Sequence, residues 1–391
     1  MPLPFYRTRP NTVRPSSLPR SANQVEMAEL RSANSPAKQP ILRYRRFHGW
    51  DYSKGASLFI TIATEPRRSL LGRVEKGAMV LSPLGEKVME ALEAIPKLNP
   101  GITLYGHVVM PDHVHFCCHL AAGLAEPLKV LGFAIRRFKN YTTKVWKAEL
   151  AERSSAISTG VLQSSPSGDG QTAFGQFGLL WQRGYHDLLC LSREAIDAVE
   201  HYIANNPLKW WLMYCDKSLM QVREPLDSPL LDDTGIFWRG VGNTGLIDPE
   251  AIGPNRHIVS MRISRRVPAN LLPQVVADCL KGANAGYIYA STFFSPGEHA
   301  LYDALVAAGA PMIKLQTSKI GWGYRPVGSE PELFAAGRLL ILAPMLAPAT
   351  PSTRPELLDA NRHAATLAHA CAGGKAIYVV PNGSGVEYRQ I

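Results

Sequence analysis

No run of 18 or more apolar residues occurs in the 391-residue chain, so no membrane-spanning helix is expected. Cysteine is sparse. The six cysteines fall at 117, 118, 190, 215, 279 and 371, and no C-x-x-C occurs. That pattern fits buried thiols in a reducing compartment and not a disulfide framework. Acidic residues are also short in number, with 32 Asp and Glu against 42 Lys and Arg, which leaves a net charge of +10. The shortage is greatest in the first 50 residues, where nine basic residues stand against two acidic ones. Periodicity is missing there too, and Pro and Ser are frequent. Residues 1–42 therefore read as a disordered basic arm that meets phosphate without sequence preference. A solvated tail is the plainer alternative. A transit peptide fits poorly, because Pro2, Pro4, Pro10, Pro15 and Pro19 break the amphipathic helix it needs. There is no signal-peptide apolar segment and no internal repeat.

What is present divides into two folded units, residues 43–230 and 231–391. In the first, "ASLFITIAT" (56–64) predicts a strand. "GAMVLSPLGEKVMEALEAIPKL" predicts a short strand and then a helix with Val88, Leu92 and Ile95 on one face. "ITLYGHVVM" and "HVHFCCHL" predict one strand, or two pieces of one, bent at Met110-Pro111. The segment from Glu126 to Leu150 predicts an amphipathic helix with Pro127 in its first turn and an apolar stripe of Leu128, Leu131, Ile135, Phe138 and Val145. Its opposite face is basic, with Arg136, Arg137 and Lys139 among others, and is either solvated or turned to phosphate. Residues 153–178 are rich in Ser and Gly and read as a flexible insertion. "SREAIDAVEHYIANNP" predicts a helix capped by Ser192 and closed by Pro207.

The chemistry concentrates in "HVVMPDHVHFCCH". On a strand, His113 and His115 point to one face and offer two neutral imidazoles to a divalent ion. Alone, an H-x-H pair is a weak signal. Structural zinc through Cys117 and His119 is disfavoured, because ligands strung along one strand spread over roughly 20 Å. A catalytic ion needs a third ligand from elsewhere. In "HYIANNP", Tyr202 and Asn206 are four apart and share a helix face, and an Asn carbonyl suits Mg²⁺ or Mn²⁺. Pro207 biases Asn206 away from helical angles, so it is expected just off the helix. A tyrosine beside a metal that polarises a phosphodiester can attack phosphorus, although a packing role is the plainer reading of Tyr202.

With those residues in place, "VVMPDHVHF", "WQRGYHD" and "YIANNP", together with "GWDYSKGASLFITIAT", resemble the HUH single-tyrosine transposases, in particular the REP-associated tyrosine transposases. The resemblance covers roughly residues 43–215. It implies an α+β domain with a central antiparallel sheet, commonly dimeric. It also implies His113, His115 and Asn206 as ligands of Mg²⁺ or Mn²⁺ and Tyr202 as nucleophile. The implied activity is cleavage and rejoining of single-stranded or hairpin DNA through a 5′-phosphotyrosine, in a bacterial cytoplasm and near the nucleoid. Arg183, Tyr185 and His186 are expected DNA contacts, with Trp181 either contact or core. Tyr141 is the rival nucleophile. Asp112 departs from the family, which often has Asn there. Relatives retained as host genes can lose cleavage, so a non-cleaving hairpin-binding protein is the alternative.

The second unit alternates short apolar strands (257–263, 286–292, 310–316, 337–344, 374–381) with helices (270–281, 296–308, 356–371), which implies a mostly parallel α/β sheet. Ser295-Pro296-Gly297-Glu298 is a capping box. "GVGNTG" (240–245) lacks the helix that a dinucleotide site requires. The pattern resembles the Rossmann-like domain of DNA-processing proteins of the SMF/DprA type. Ser264, Arg265 and Arg266 after the first strand, and Ser291, Ser295 and Gly297 at the second strand end and next helix start, are where such a sheet binds phosphate. The expected ligand is a nucleotide or single-stranded DNA; the alternatives are a docking domain, or a nucleotide-processing enzyme in its own right.

Overall fold

The structure is a computed structural model that describes residues 50–158, 179–349 and 353–391, with 153–158 described as backbone only. The basic arm and most of the 153–178 insertion lie outside the described residues.

The first part of the chain builds β1 (Ala56–Ala63), a small hairpin of β2 (Gly72–Glu75) and β3 (Ala78–Leu81), α1 (Pro83–Leu98), β4 (Ile102–Val109), β5 (His113–Leu120), α2 (Pro127–Ser158), β6 (His186–Cys190) and α3 (Arg193–Trp210). The main sheet is antiparallel in the order β4-β5-β1-β6. Alternation sorts its faces. Leu58, Ile60, Ile62, Val114, Phe116 and Cys118 pack under α1 and α2 with Val88, Leu92, Leu131, Ile135 and Phe138. Phe59, Cys117 and Cys190 face the other way and pack under α3 with Val199 and Ile203.

Three local expectations are revised. "HVVMPDHVH" is a hairpin and not a bent single strand: Met110 N–H donates to His113 O at 2.8 Å, and Val109 pairs with Val114. Pro111 has no N–H to give a ladder, so it sits in the turn. α2 runs on to Ser158, so the start of the supposed insertion is helical. α3 continues through Pro207 to Trp210 and passes into a π-helical turn, Trp211–Cys215. Proline removes one backbone donor from a helix, a cost that packing can offset. Here Pro207 is buried, Leu212 is buried in the second core, and Leu208 and Trp211 pack against that core.

The second part forms β7 (Trp238–Gly242), β8 (His257–Ile263), α4 (Leu272–Asn284), β9 (Tyr287–Ser291), α5 (Pro296–Ala307), β10 (Met312–Leu315), α6 (Glu330–Ala335), β11 (Leu339–Pro344), α7 (Arg354–Ala370), β12 (Lys375–Asn382) and β13 (Gly385–Gln390). The sheet order is β13-β12-β8-β9-β10-β11-β7. β12, β8, β9, β10 and β11 are mutually parallel, and antiparallel β13 and β7 close the two edges. The sheet is therefore mostly parallel, as the unalternated strands implied. Apolar cores line both of its faces. Neither edge strand was anticipated: β7 hides in the glycine-rich stretch before Asn243, and β13 is largely exposed. Among the described residues no helix is long and apolar enough to cross a membrane.

Candidate active site

β5 and β1 run antiparallel with Ala63 opposite His113, Thr61 opposite His115 and Phe59 opposite Cys117. That register puts both histidines on the α3 face of the sheet, where they are almost fully buried. Their Nε2 atoms approach to 3.0 Å, and their ring centroids lie 4.4 Å apart. Each Nδ1 is held from behind. His113 Nδ1–H donates to Asp112 Oδ1 at 2.5 Å, and His115 Nδ1 is 2.9 Å from Thr61 Oγ1. Burial pushes the Asp112 carboxyl up, but the hydrogen bond and charge of His113, with Arg67 at 3.4 Å, outweigh it and leave the group below its usual range. An ionised Asp112 accepts from His113 Nδ1–H and orients the ring so that Nε2 faces His115. Thr61 can donate or accept, so His115 can offer either a proton or a second lone pair. Two Nε2 atoms converging in this way, with oxygen partners behind them, are a donor pair that could hold two positions on a divalent ion.

α3 covers this face. Tyr202 lies half-buried with its ring 5.6 Å from that of His115 and edge-on to Phe59 at 5.8 Å. Lys209 Nζ is 5.6 Å from the centre of the Tyr202 ring. Asn206, one turn beyond Tyr202, is buried within the helix, not displaced from it as Pro207 had led us to expect. Trp210 stands 6.2 Å from His113 and contacts the exposed Tyr214 at 4.8 Å. Among the described residues there is no group of three or more His, Cys, Asp or Glu side chains able to hold a metal. Among the described residues, a third protein ligand would therefore come from outside those four types, as Asn206 does.

The other polar groups of the opening motif disperse. His107 pairs opposite Phe116, on the α1 face, with its Nε2 3.5 Å from Glu93. His119 is 3.0 Å from Ser57 Oγ. Cys117 and Cys118 are buried free thiols, and burial pushes Cys118 up to about 12. Tyr141 is exposed on α2, across the sheet from the histidines, in a cavity of about 400 Å³ lined by Glu90, Leu98 and Arg137.

Arg136 and Arg137 are exposed on α2. Lys139 turns inward instead: its ammonium donates to Gln182 O at 2.8 Å and to Gly184 O, and burial pulls it down to about 8. It tethers the loop before β6 and does not share the open basic face. Arg183 and His186 are exposed, whereas Tyr185 packs against the α1–α2 core. His186 lies opposite Thr61 in the register, so it shares the face and row of His115. Trp181 is core, donating from Nε1 to Thr142 Oγ1 at 2.8 Å.

In the second sheet, Arg265 is stacked on the half-exposed Phe294 with its guanidinium carbon 5.2 Å from the ring centre, and Ser264 Oγ accepts from Arg266 N–H at 3.2 Å. Ser295 Oγ donates to Ile263 O and caps Glu298 N–H. A Cβ on Gly297 would come within 2.4 Å of Ile263, so its glycine serves the close seating of α5 on β8.

Sequence reasoning missed Thr61, Phe59 and Arg67. Alternation in "ASLFITIAT" assigns Thr61 a face, but only the β1–β5 register places it behind His115. One consequence can be measured. Asp112→Ala, which frees the His113 ring, is expected to weaken Mn²⁺ binding about 10–100-fold in a metal titration. Unchanged affinity would show that the carboxylate does not support the pair.

No family model matches the chain. An uncharacterised Haemophilus influenzae (strain Rd) protein is 26% identical over 182 residues, 42% of this chain and 87% of that protein. Among solved structures, a REP-associated tyrosine transposase bound to a REP hairpin shares 18% identity over 43% of this chain and 73% of that one, with a TM-score of 0.26. A provisionally assigned transposase from Deinococcus radiodurans R1 shares 20% identity over 41% of this chain and 97% of that one, with a TM-score of 0.21.

Proposed function

We propose that this chain cleaves and rejoins single-stranded DNA at hairpin-bearing sites through a tyrosine–phosphate intermediate. The observation that carries the reading is the convergence of His113 Nε2 and His115 Nε2 at 3.0 Å beneath the helix that bears Tyr202 and Asn206. His113, His115 and Asn206 would hold Mg²⁺ or Mn²⁺, which when bound polarises the scissile phosphate. The three ligands are neutral, so the site keeps positive charge for a phosphodiester, and Lys209 adds to it. Tyr202 Oη attacks phosphorus. The new O–P bond forms as the bond to the 3′ oxygen breaks, giving a 5′-phosphotyrosine and a free 3′-OH; the phenol proton passes to solvent, and solvent returns one to the departing 3′ oxygen. Attack by a 3′-OH reverses the step without a nucleotide cofactor. Trp210 and Tyr214 offer flat faces on which bases flanking the phosphate can stack. Arg136, Arg137, Arg183 and His186 supply exposed donors for the strand.

The test is incubation of a labelled hairpin-tailed single strand with the full chain and Mn²⁺. A covalent protein–DNA species that maps to Tyr202, and is lost with chelator, is the expected result. Hairpin binding indifferent to chelator, with no covalent species, would favour the non-cleaving alternative.

A further inference from the structure

α3 belongs to both halves of the molecule. One face carries Val199, Tyr202 and Ile203 onto the sheet that holds the histidines. Toward its end Leu208 packs against the core of the second sheet, as do Trp211 and buried Leu212 of the turn that follows. Between these contacts, His201 and Asn205 meet one carboxylate of the second sheet's α6. Asn205 Nδ2 donates to Glu332 Oε1 at 2.6 Å, and His201 Nε2 lies 3.1 Å from the same oxygen. The His201 imidazole is raised above its usual range by that hydrogen bond, against the effect of burial. Residues 201 and 205 each directly precede one of the two residues on which the proposed chemistry depends, Tyr202 and Asn206. A helix turns about 100° per residue, so fixing 201 and 205 fixes the rotation at which 202 and 206 present their side chains.

We propose that Glu332 is a positioning residue: through His201 and Asn205 it sets the rotation and seating of α3, and so the placement of Tyr202 and Asn206 over the histidine pair. The mostly parallel sheet then has a part in strand cleavage whether or not it binds a ligand of its own. The pair is partly exposed, with 44% of the His201 side chain and 41% of that of Glu332 accessible. An ion pair of that exposure adds little to overall stability, so its effect belongs to placement. The proposal rests on the function argued above, and its test separates the two.

The full chain is compared with Glu332→Ala and with the reversed pair His201→Glu/Glu332→His. Three readouts are taken: amide hydrogen exchange over residues 201–206, Mn²⁺ affinity by titration, and the rate of covalent adduct formation. We expect Glu332→Ala to speed exchange across that segment, weaken Mn²⁺ binding severalfold and slow adduct formation about tenfold, since small misplacements of reacting groups are costly. Hairpin affinity and melting temperature should hold, and the reversed pair should recover part of each loss. Wild-type exchange, metal affinity and rate in Glu332→Ala would overturn the proposal, as would equal losses in Glu332→Ala and the reversed pair. If the wild-type chain forms no adduct while exchange and Mn²⁺ affinity still respond, the positioning role stands and the strand-cleavage reading falls.

Discussion

Tyr202→Phe is expected to abolish the covalent DNA adduct, lowering its rate by more than about a thousandfold, because it removes the oxygen that attacks phosphorus. The substitution deletes one oxygen and keeps the ring. Its edge contact with Phe59 and its packing beside His115 are therefore preserved, and folding should be unaffected. Hairpin binding should also persist, since the exposed basic residues and the Trp210–Tyr214 pair remain. The informative control is Tyr141→Phe. Tyr141 lies across the sheet from the histidines, in the groove between α1 and α2, and its replacement should leave the adduct rate unchanged. An undiminished adduct in Tyr202→Phe would sink the assignment, and its loss in Tyr141→Phe would move the nucleophile to the other face. His115→Ala should resemble Tyr202→Phe in rate but differ in cause. It should lose Mn²⁺ affinity, whereas Tyr202→Phe should retain it.

How much of this site was legible beforehand follows from which interactions are local. His113 and His115 share a face because strands alternate, and that needs no partner. Tyr202 and Asn206 share a face because helices repeat near four residues, and Ser192 marks where that helix begins. What brings Tyr202 beside His115 is the packing of α3 on the sheet, which no short-range pattern encodes. The same limit hid Thr61, whose role depends on register, and Glu332, which lies 127 positions from Asn205. Pro207 misled for the opposite reason. Its local preference for ending a helix is real, but apolar contacts on both sides of it favour continuation. The strands of the second sheet were readable because burial on both faces makes them unbroken apolar runs. The edge strands lack that signature and were missed. The separation of Lys139 from Arg136 and Arg137 was equally out of reach, because it depends on the carbonyls of Gln182 and Gly184 arriving from a distant loop.

The largest stability effect is expected at Glu298, a buried carboxylate in the second sheet. It accepts from Ile263 N–H at 3.2 Å, Phe294 N–H at 2.9 Å, Ser295 N–H at 3.2 Å and the Thr292 hydroxyl at 3.1 Å. Three of these donors are backbone groups that cannot turn elsewhere. Glu298→Ala leaves them buried without an acceptor, and each such group costs about 1–3 kcal/mol. A loss of about 3–5 kcal/mol in urea unfolding is expected, against about 1–2 kcal/mol for Ser295→Ala, which removes one cap and one hydrogen bond to Ile263 O. Glu298→Gln should fall between them, because it restores one acceptor but turns an amide donor toward N–H groups. A loss under about 1 kcal/mol for Glu298→Ala would mean the donors find other partners. The same carboxylate bears on whether phosphate could bind at the start of α5. In the wild-type chain, Glu298 already accepts from the Phe294 and Ser295 N–H groups just before this helix. An incoming phosphate must displace that internal anion or bind outside it, nearer Arg265 and Arg266. Inorganic phosphate should therefore protect the wild-type chain from thermal unfolding less than it protects Glu298→Ala, where those N–H groups are released.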